Sequence, residues 1–187
     1  MIKIFWLFRA IILKPFFGQL GLYSYLGKTI YIRGLSNIYI GKKVRIYPHA
    51  RIESLGGEIR LGNNISIGQA LHLISANKVT IGQDTTISAN VFISDVDHSF
   101  EEIDIHIMEQ PLIKMSTIIS ENCFIGYGVV ILPGTFLGKQ CIVGANSVVK
   151  GIFPDYCILV GSPAKIIKRY DTIDSLWKKT DVNGNFI

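Results

Sequence analysis

The chain has 187 residues, 49% hydrophobic and 18% charged, a balance that excludes a disordered or low-complexity protein and leaves enough apolar side chain for a real core. Lysine and arginine exceed aspartate and glutamate by 19 to 14, a formal +5 that suits a phosphate-bearing ligand, an anionic membrane surface or nucleic acid without choosing among them. Cys123, Cys141 and Cys157 fit neither a disulfide framework nor a paired metal site, so a reducing, cytoplasmic setting is expected.

Residues 1–27, MIKIFWLFRAIILKPFFGQLGLYSYLG, are rich in aromatic and aliphatic side chains. Arg9, Lys14 and Pro15 cut that apolar run well short of the roughly 20 residues a membrane span needs. No small-x-small cleavage site follows, which argues against a secretory signal. Two readings stand. Lys3, Arg9 and Lys14 beside Phe5, Trp6, Phe8 and Ile12 form an interfacial helix on anionic lipid, placing the protein peripherally at the inner face of a membrane, or the helix packs its apolar stripe over the end of the domain or a partner subunit.

From residue 40 an aliphatic side chain recurs every sixth position: Ile40, Ile46 and Ile52; Leu61, Ile67 and Leu73; Ile81, Ile87 and Ile93; then Ile119, Ile125, Ile131, Leu137, Val143 and Val149. Glycine often follows directly, at 41, 62, 68, 82, 126, 138 and 144, where it is expected to free the backbone for a turn. Four residues after the aliphatic position the side chain is often small or modest, as at Val44, Ala50, Thr85, Cys123, Val129, Thr135, Cys141 and Ser147. Three, two and twenty extra residues fall after Ile52, Leu73 and Ile93, so the true unit is three hexads. A chain that turns every six residues and closes a triangle after three makes an all-β protein, a parallel β-helix of about five coils, with aliphatic side chains filling a narrow prism and the insertions on one edge. The expected organisation is a terminal segment with a short helix over residues 1–29, the β-helix over 30–160 with its excursion at 95–114, and a closing loop, short helix and tail over 161–187.

His98, in ISDVDHSF, stands where the hexads stop and the long excursion begins, so its ring need not fill the prism. Asp95 and Asp97 are close enough in sequence to fix one ring nitrogen and leave the other to accept a proton. His106, in the same excursion, is the second candidate. Cys123 and Cys141 occupy inward slots one coil apart and read as stacked core, with a spacing that permits a disulfide. There is no G-x-S-x-G elbow. Outward Ile118, Phe124, Val130 and Phe136 are costly unless covered.

The repeat, and above all IISENCFIGYGVVILPGTFLGKQCIVGANSVVKGIFPDYCILVGSPAKIIK from Ile119 to Lys168, resembles the hexapeptide-repeat acyltransferase family, among its members the sugar and polysaccharide O-acetyltransferases. The resemblance covers about residues 30 to 170 and implies a left-handed coil, a homotrimer with active sites between neighbouring prisms, and acetyl transfer from acetyl coenzyme A to a hydroxyl without an acyl-enzyme. It makes His98 the general base, a role that contributes about 10²–10⁴ in rate, with Asp95 and Asp97 beside it. It places the pantetheine arm along Gly126, Tyr127, Gly144 and Ala145, with Phe124 where relatives often have tryptophan. Lys150, Lys165 and Lys168 fall near the nucleotide phosphates, against the alternative of a solvated face. Ala70 departs from the asparagine that related sugar acetyltransferases often carry, so His72 and the 95–114 excursion, with Ser99 and Phe100, become acceptor-site candidates. His72 also reads as structural filler at a coil surface.

The expected partners are therefore acetyl coenzyme A and a saccharide in surface polysaccharide or lipopolysaccharide assembly, with no metal and no nucleic acid. A free small sugar as acceptor, or a non-catalytic β-helix scaffold or sugar-binding module, is the competing reading. A zinc hydrolyase on the same architecture needs about three converging histidines, and His49, His72, His98 and His106 share no hexad register.

Overall fold

The computed structural model describes residues 2–181 and 184–187. One helix, α1 (Ile2–Leu13), precedes a solenoid of short parallel strands arranged as three flat faces. On the first face Leu20, Ile40, Leu61, Ile81, Ile119, Leu137 and Phe153 stand in register, one per coil. On the second the inward series runs Leu26, Ile46, Ile67, Ile87, Ile125, Val143 and Leu159. On the third it runs Ile32, Ile52, Leu73, Ile93, Ile131 and Val149. All fifteen repeat positions read from the sequence are buried. The backbone groups of each strand bond to the coils before and after it, so the prism satisfies itself along its length.

The coils extend beyond the expected limits. Gln19–Leu20, Tyr25–Leu26 and Tyr31–Arg33 already complete one, because Leu20, Leu26 and Ile32 keep the six-residue step. Six complete coils result, and Ile152–Phe153 and Cys157–Gly161 supply two sides of a seventh. The short helix expected after residue 161 is instead an antiparallel hairpin of Ala164–Asp171 and Leu176–Lys179 added to the second face. A helix there would leave the edge of Cys157–Gly161 unpaired; the hairpin bonds that edge. The Asp171 carboxylate helps form its turn by accepting from the Ile173 N–H at 2.8 Å.

The role expected of the repeat glycines also changes. Left-handed backbone occurs two positions later, at Lys43, Asn64, Ala70, Asp84, Gly128, Gln140 and Asn146. The glycines answer to stacking: a Cβ on Gly62 would lie 2.5 Å from Gln83 N, and one on Gly126 2.7 Å from Ala145 N. The coils pass too closely there for any side chain. Cys123, Cys141 and Cys157 form a buried inward column of free thiols, so no disulfide links the first two.

Candidate active site

All three insertions lie at the corner between the third and first faces. The longest leaves as a small antiparallel ribbon of Val96–His98 and Leu112–Lys114, in which His98 faces Leu112 across the pair. The base of the ribbon is tied to the prism. Thr117 Oγ1 donates to Ser94 O at 2.7 Å, and the Met115 N–H donates to Asp95 O at 2.8 Å. Beyond the ribbon the buried Gln110 organises the tip: its Nε2 donates to Glu102 O and Ile105 O, each at 3.0 Å, and its Oε1 accepts from the Glu102 N–H at 3.1 Å.

His98 therefore stands outside the prism, half-buried, with Nδ1 shielded from solvent and without a hydrogen-bond partner. Neither nearby carboxylate holds the ring, which corrects the arrangement expected from sequence. Asp95 is fully buried, and its oxygens accept from Ser75 Oγ at 2.7 Å, the Ala76 N–H at 2.7 Å and the Asn77 N–H at 3.0 Å, clamping the corner one coil earlier. Asp97 Oδ1 accepts from the backbone N–H of His98 at 2.9 Å. Asp95 thus fixes the ribbon's origin and Asp97 its backbone. The donors Ser75 and Asn77 were missed because they precede Asp95 by a full coil. His106 caps a short turn through Nδ1, which accepts from the Met108 N–H at 3.2 Å.

His72 sits on the third face, outward, with Arg51 one coil before it and Phe92 one coil after it. Its ring meets Phe92 edge-on at 5.2 Å, and its Nε2 is 4.0 Å from Glu53, which pairs with Arg51 at 2.5 Å. Burial and the Arg51 charge hold the imidazole below its ordinary pKa, and Glu53 opposes them only in part. Ser99 and Phe100 follow the ribbon, Phe100 exposed.

The cofactor candidates lie elsewhere on the prism, except Lys150, which follows Val149 at the corner between the third and first faces. Gly126 and Tyr127 stack under Gly144 and Ala145 at the corner between the second and third faces, where the Asn146 N–H donates to Tyr127 O at 2.8 Å. Tyr127 is exposed, and its hydroxyl accepts from Asn90 Nδ2 at 2.6 Å, a contact the sequence did not suggest. Phe124 projects from the second face, 46% exposed, between Thr86 and Ile142. Lys150 and Lys165 line one cavity of about 240 Å³ with Ile152 and Phe153. Lys168 is paired between Ile158 and Lys179 in the terminal hairpin. The outward apolar residues also divide: Ile118 and Phe136 stack on the first face, Phe124 lies on the second and Val130 on the third.

A three-sided solenoid of six-residue turns with one histidine-bearing excursion defines a hexapeptide-repeat protein. Residues 116–151 match the family described as bacterial transferase hexapeptide (six repeats). The chain is 36% identical over 159 residues to a putative lipopolysaccharide biosynthesis O-acetyl transferase, WbbJ, of Escherichia coli K12, covering 80% of each chain. It is 32% identical to a probable acetyltransferase, Rv3034c, of Mycobacterium tuberculosis, over 78% of this chain and 49% of that one. Among solved structures, AntD, an N-acyltransferase from Bacillus cereus in complex with dTDP and 3-hydroxybutyryl-CoA, superposes with a TM-score of 0.76 at 22% identity, over 89% of this chain and 90% of that one, a likeness of fold. The chain belongs to the hexapeptide-repeat acyltransferase family, and its fold is the family's left-handed parallel β-helix.

Proposed function

We propose that the protein transfers acetyl from acetyl coenzyme A to a hydroxyl of a saccharide used in surface polysaccharide or lipopolysaccharide assembly, with His98 as general base. The observation that carries this reading is a histidine set on the only long excursion from the prism among the described residues, with one ring nitrogen closed off and unpartnered. A buried ring nitrogen without a partner calls for a physical reason, and a role in proton transfer supplies one. The relative named as a lipopolysaccharide O-acetyl transferase supports the reaction class. Since Nδ1 is shielded, Nε2 is assigned the proton transfer. The neutral imidazole takes the hydroxyl proton as the oxygen attacks the thioester carbonyl. The tetrahedral intermediate collapses, and the imidazolium returns the proton to the departing coenzyme A sulfur. A backbone N–H on the coil flank stabilises the oxyanion.

The donor set fits coenzyme A. Lys150 and Lys165 border one cavity and offer a phosphate two cations, with Lys168 as a further one. The exposed rings of Phe124 and Tyr127 flank the closely stacked corner of Gly126, Gly144 and Ala145, along whose outer surface the pantetheine arm is assigned to lie. His72, Ser99 and Phe100 are assigned to the acceptor side. His98 and this corner lie on different edges of one triangle, which supports a homotrimer whose site is shared between two copies. Exposed Phe100, Ile103 and Met108 on the excursion favour such a contact. Mass spectrometry of sugar nucleotides and lipid-linked glycans incubated with acetyl coenzyme A tests the activity: one acetyl gained on a saccharide hydroxyl supports it, and no acetylated saccharide contradicts it.

A further inference from the structure

The first 52 residues carry nine lysines and arginines and no acidic residue, while the remaining residues carry ten against fourteen. The chain is therefore polarised along the axis of its solenoid, with the whole of its positive excess on α1 and the first two coils. Helix α1 lies on that same end. Its inner stripe is held by packing: Ala10 is buried, Trp6 meets Tyr25 at 5.6 Å and Tyr47 at 5.8 Å, and Arg9 donates to Thr29 Oγ1 at 3.0 Å. The opposite stripe, Ile4, Phe5, Phe8, Ile11 and Ile12, is exposed, with Phe5 at 71% and Ile12 at 68%. Leu7 and Ile11 share a cavity of about 210 Å³ with Leu22 and Tyr23, so the apolar surface continues onto the first coil.

From these observations we infer that α1 and the first coil dock on an anionic lipid bilayer, the apolar stripe entering the headgroup boundary and the surrounding cations facing acidic headgroups. Charge decides the occupant. Exposed Lys3 and Lys14 border the stripe, and exposed Lys42 and Lys43 stand one coil from Leu22, whose carbonyl accepts from the Lys43 N–H at 3.0 Å. The nearest acidic residue in sequence, Glu53, is buried and paired with Arg51. A second copy of this basic end would repel it, whereas a phosphate-bearing surface is complementary to it. The helix lies on the bilayer and does not cross it: its 12 residues span about 18 Å against an apolar thickness of about 30 Å. No described helix is long and apolar enough to cross a membrane. The inference is independent of the acyl-transfer reading.

The test is co-sedimentation of the full chain with vesicles of phosphatidylcholine alone or mixed with phosphatidylglycerol, with the oligomeric mass recorded in parallel. The expected result is binding at least about tenfold stronger to the anionic vesicles, weakened by salt. Replacing Phe5→Ser, Phe8→Ser and Ile12→Ser together, on an exposed face whose loss leaves the core intact, should lower partition by about tenfold or more at unchanged oligomeric mass. Lys42→Glu with Lys43→Glu should remove most of the anionic preference. Absence of vesicle binding, binding indifferent to lipid charge, or a triple variant that dissociates the oligomer while vesicle binding persists would overturn the proposal.

Discussion

Ala70 shows how strictly the corner dictates backbone. It adopts φ 56° at a position taken by Asn90 one coil on, by Gly128 two coils on and by Asn146 three coils on, residues that tolerate the left-handed region better than alanine does. Ala70→Gly should therefore raise stability by up to about 1 kcal/mol, measured by chemical denaturation; a loss of that size would show that its methyl group packs. His72 presents a different residue-level cost. Its imidazole is held neutral by burial and by Arg51, while the unfolded chain protonates near the ordinary histidine value of about 6.5. Between the depressed native pKa and that value the unfolded state binds more protons, so stability contributed at this site falls as pH is lowered. His72→Gln should flatten that part of the pH–stability curve. An unchanged curve would mean that the ring titrates freely in the folded protein.

The inward columns decide what each element tolerates. Cys123, Cys141 and Cys157 stack through three coils, and Cys123 Sγ and Cys141 Sγ each donate to a carbonyl of the next coil at 3.2 Å, to Gly138 and Pro154. Hydrogen bonding to Cys141 and burial push the Cys123 and Cys157 thiols above their ordinary range. Native protein should resist a thiol-specific reagent for as long as it stays folded and expose three thiols in denaturant; rapid native labelling would contradict the packing. This column, like the aliphatic ones, was legible because an inward slot returns every six residues whatever surrounds it. The first coil was harder to read: Leu20, Leu26 and Ile32 keep the step, yet the aromatic side chains between them resemble membrane-facing sequence. The terminal hairpin was not legible at all, since the pull toward a strand comes from the open edge of Cys157–Gly161 and not from the composition of residues 164–179. Asp95 was visible as a carboxylate near His98, but its contacts to Ser75, Ala76 and Asn77 arise only once coils stack.

At the scale of the molecule three features are set apart: a basic, apolar end at α1, a corner of close coil approach at Gly126 and Gly144, and the ribbon carrying His98 on another edge. The proposed homotrimer would bring the last two together at each interface between copies, so light scattering should report three chains, and a monomer at micromolar concentration would count against the shared site. The assignment of His98 is tested most directly by comparing acetyl transfer in native protein and in His98→Ala, with circular dichroism to verify the fold. The expected result is a turnover about 10²–10⁴ lower with the β-helix unchanged. Turnover retained near the native rate in a folded His98→Ala protein would contradict it.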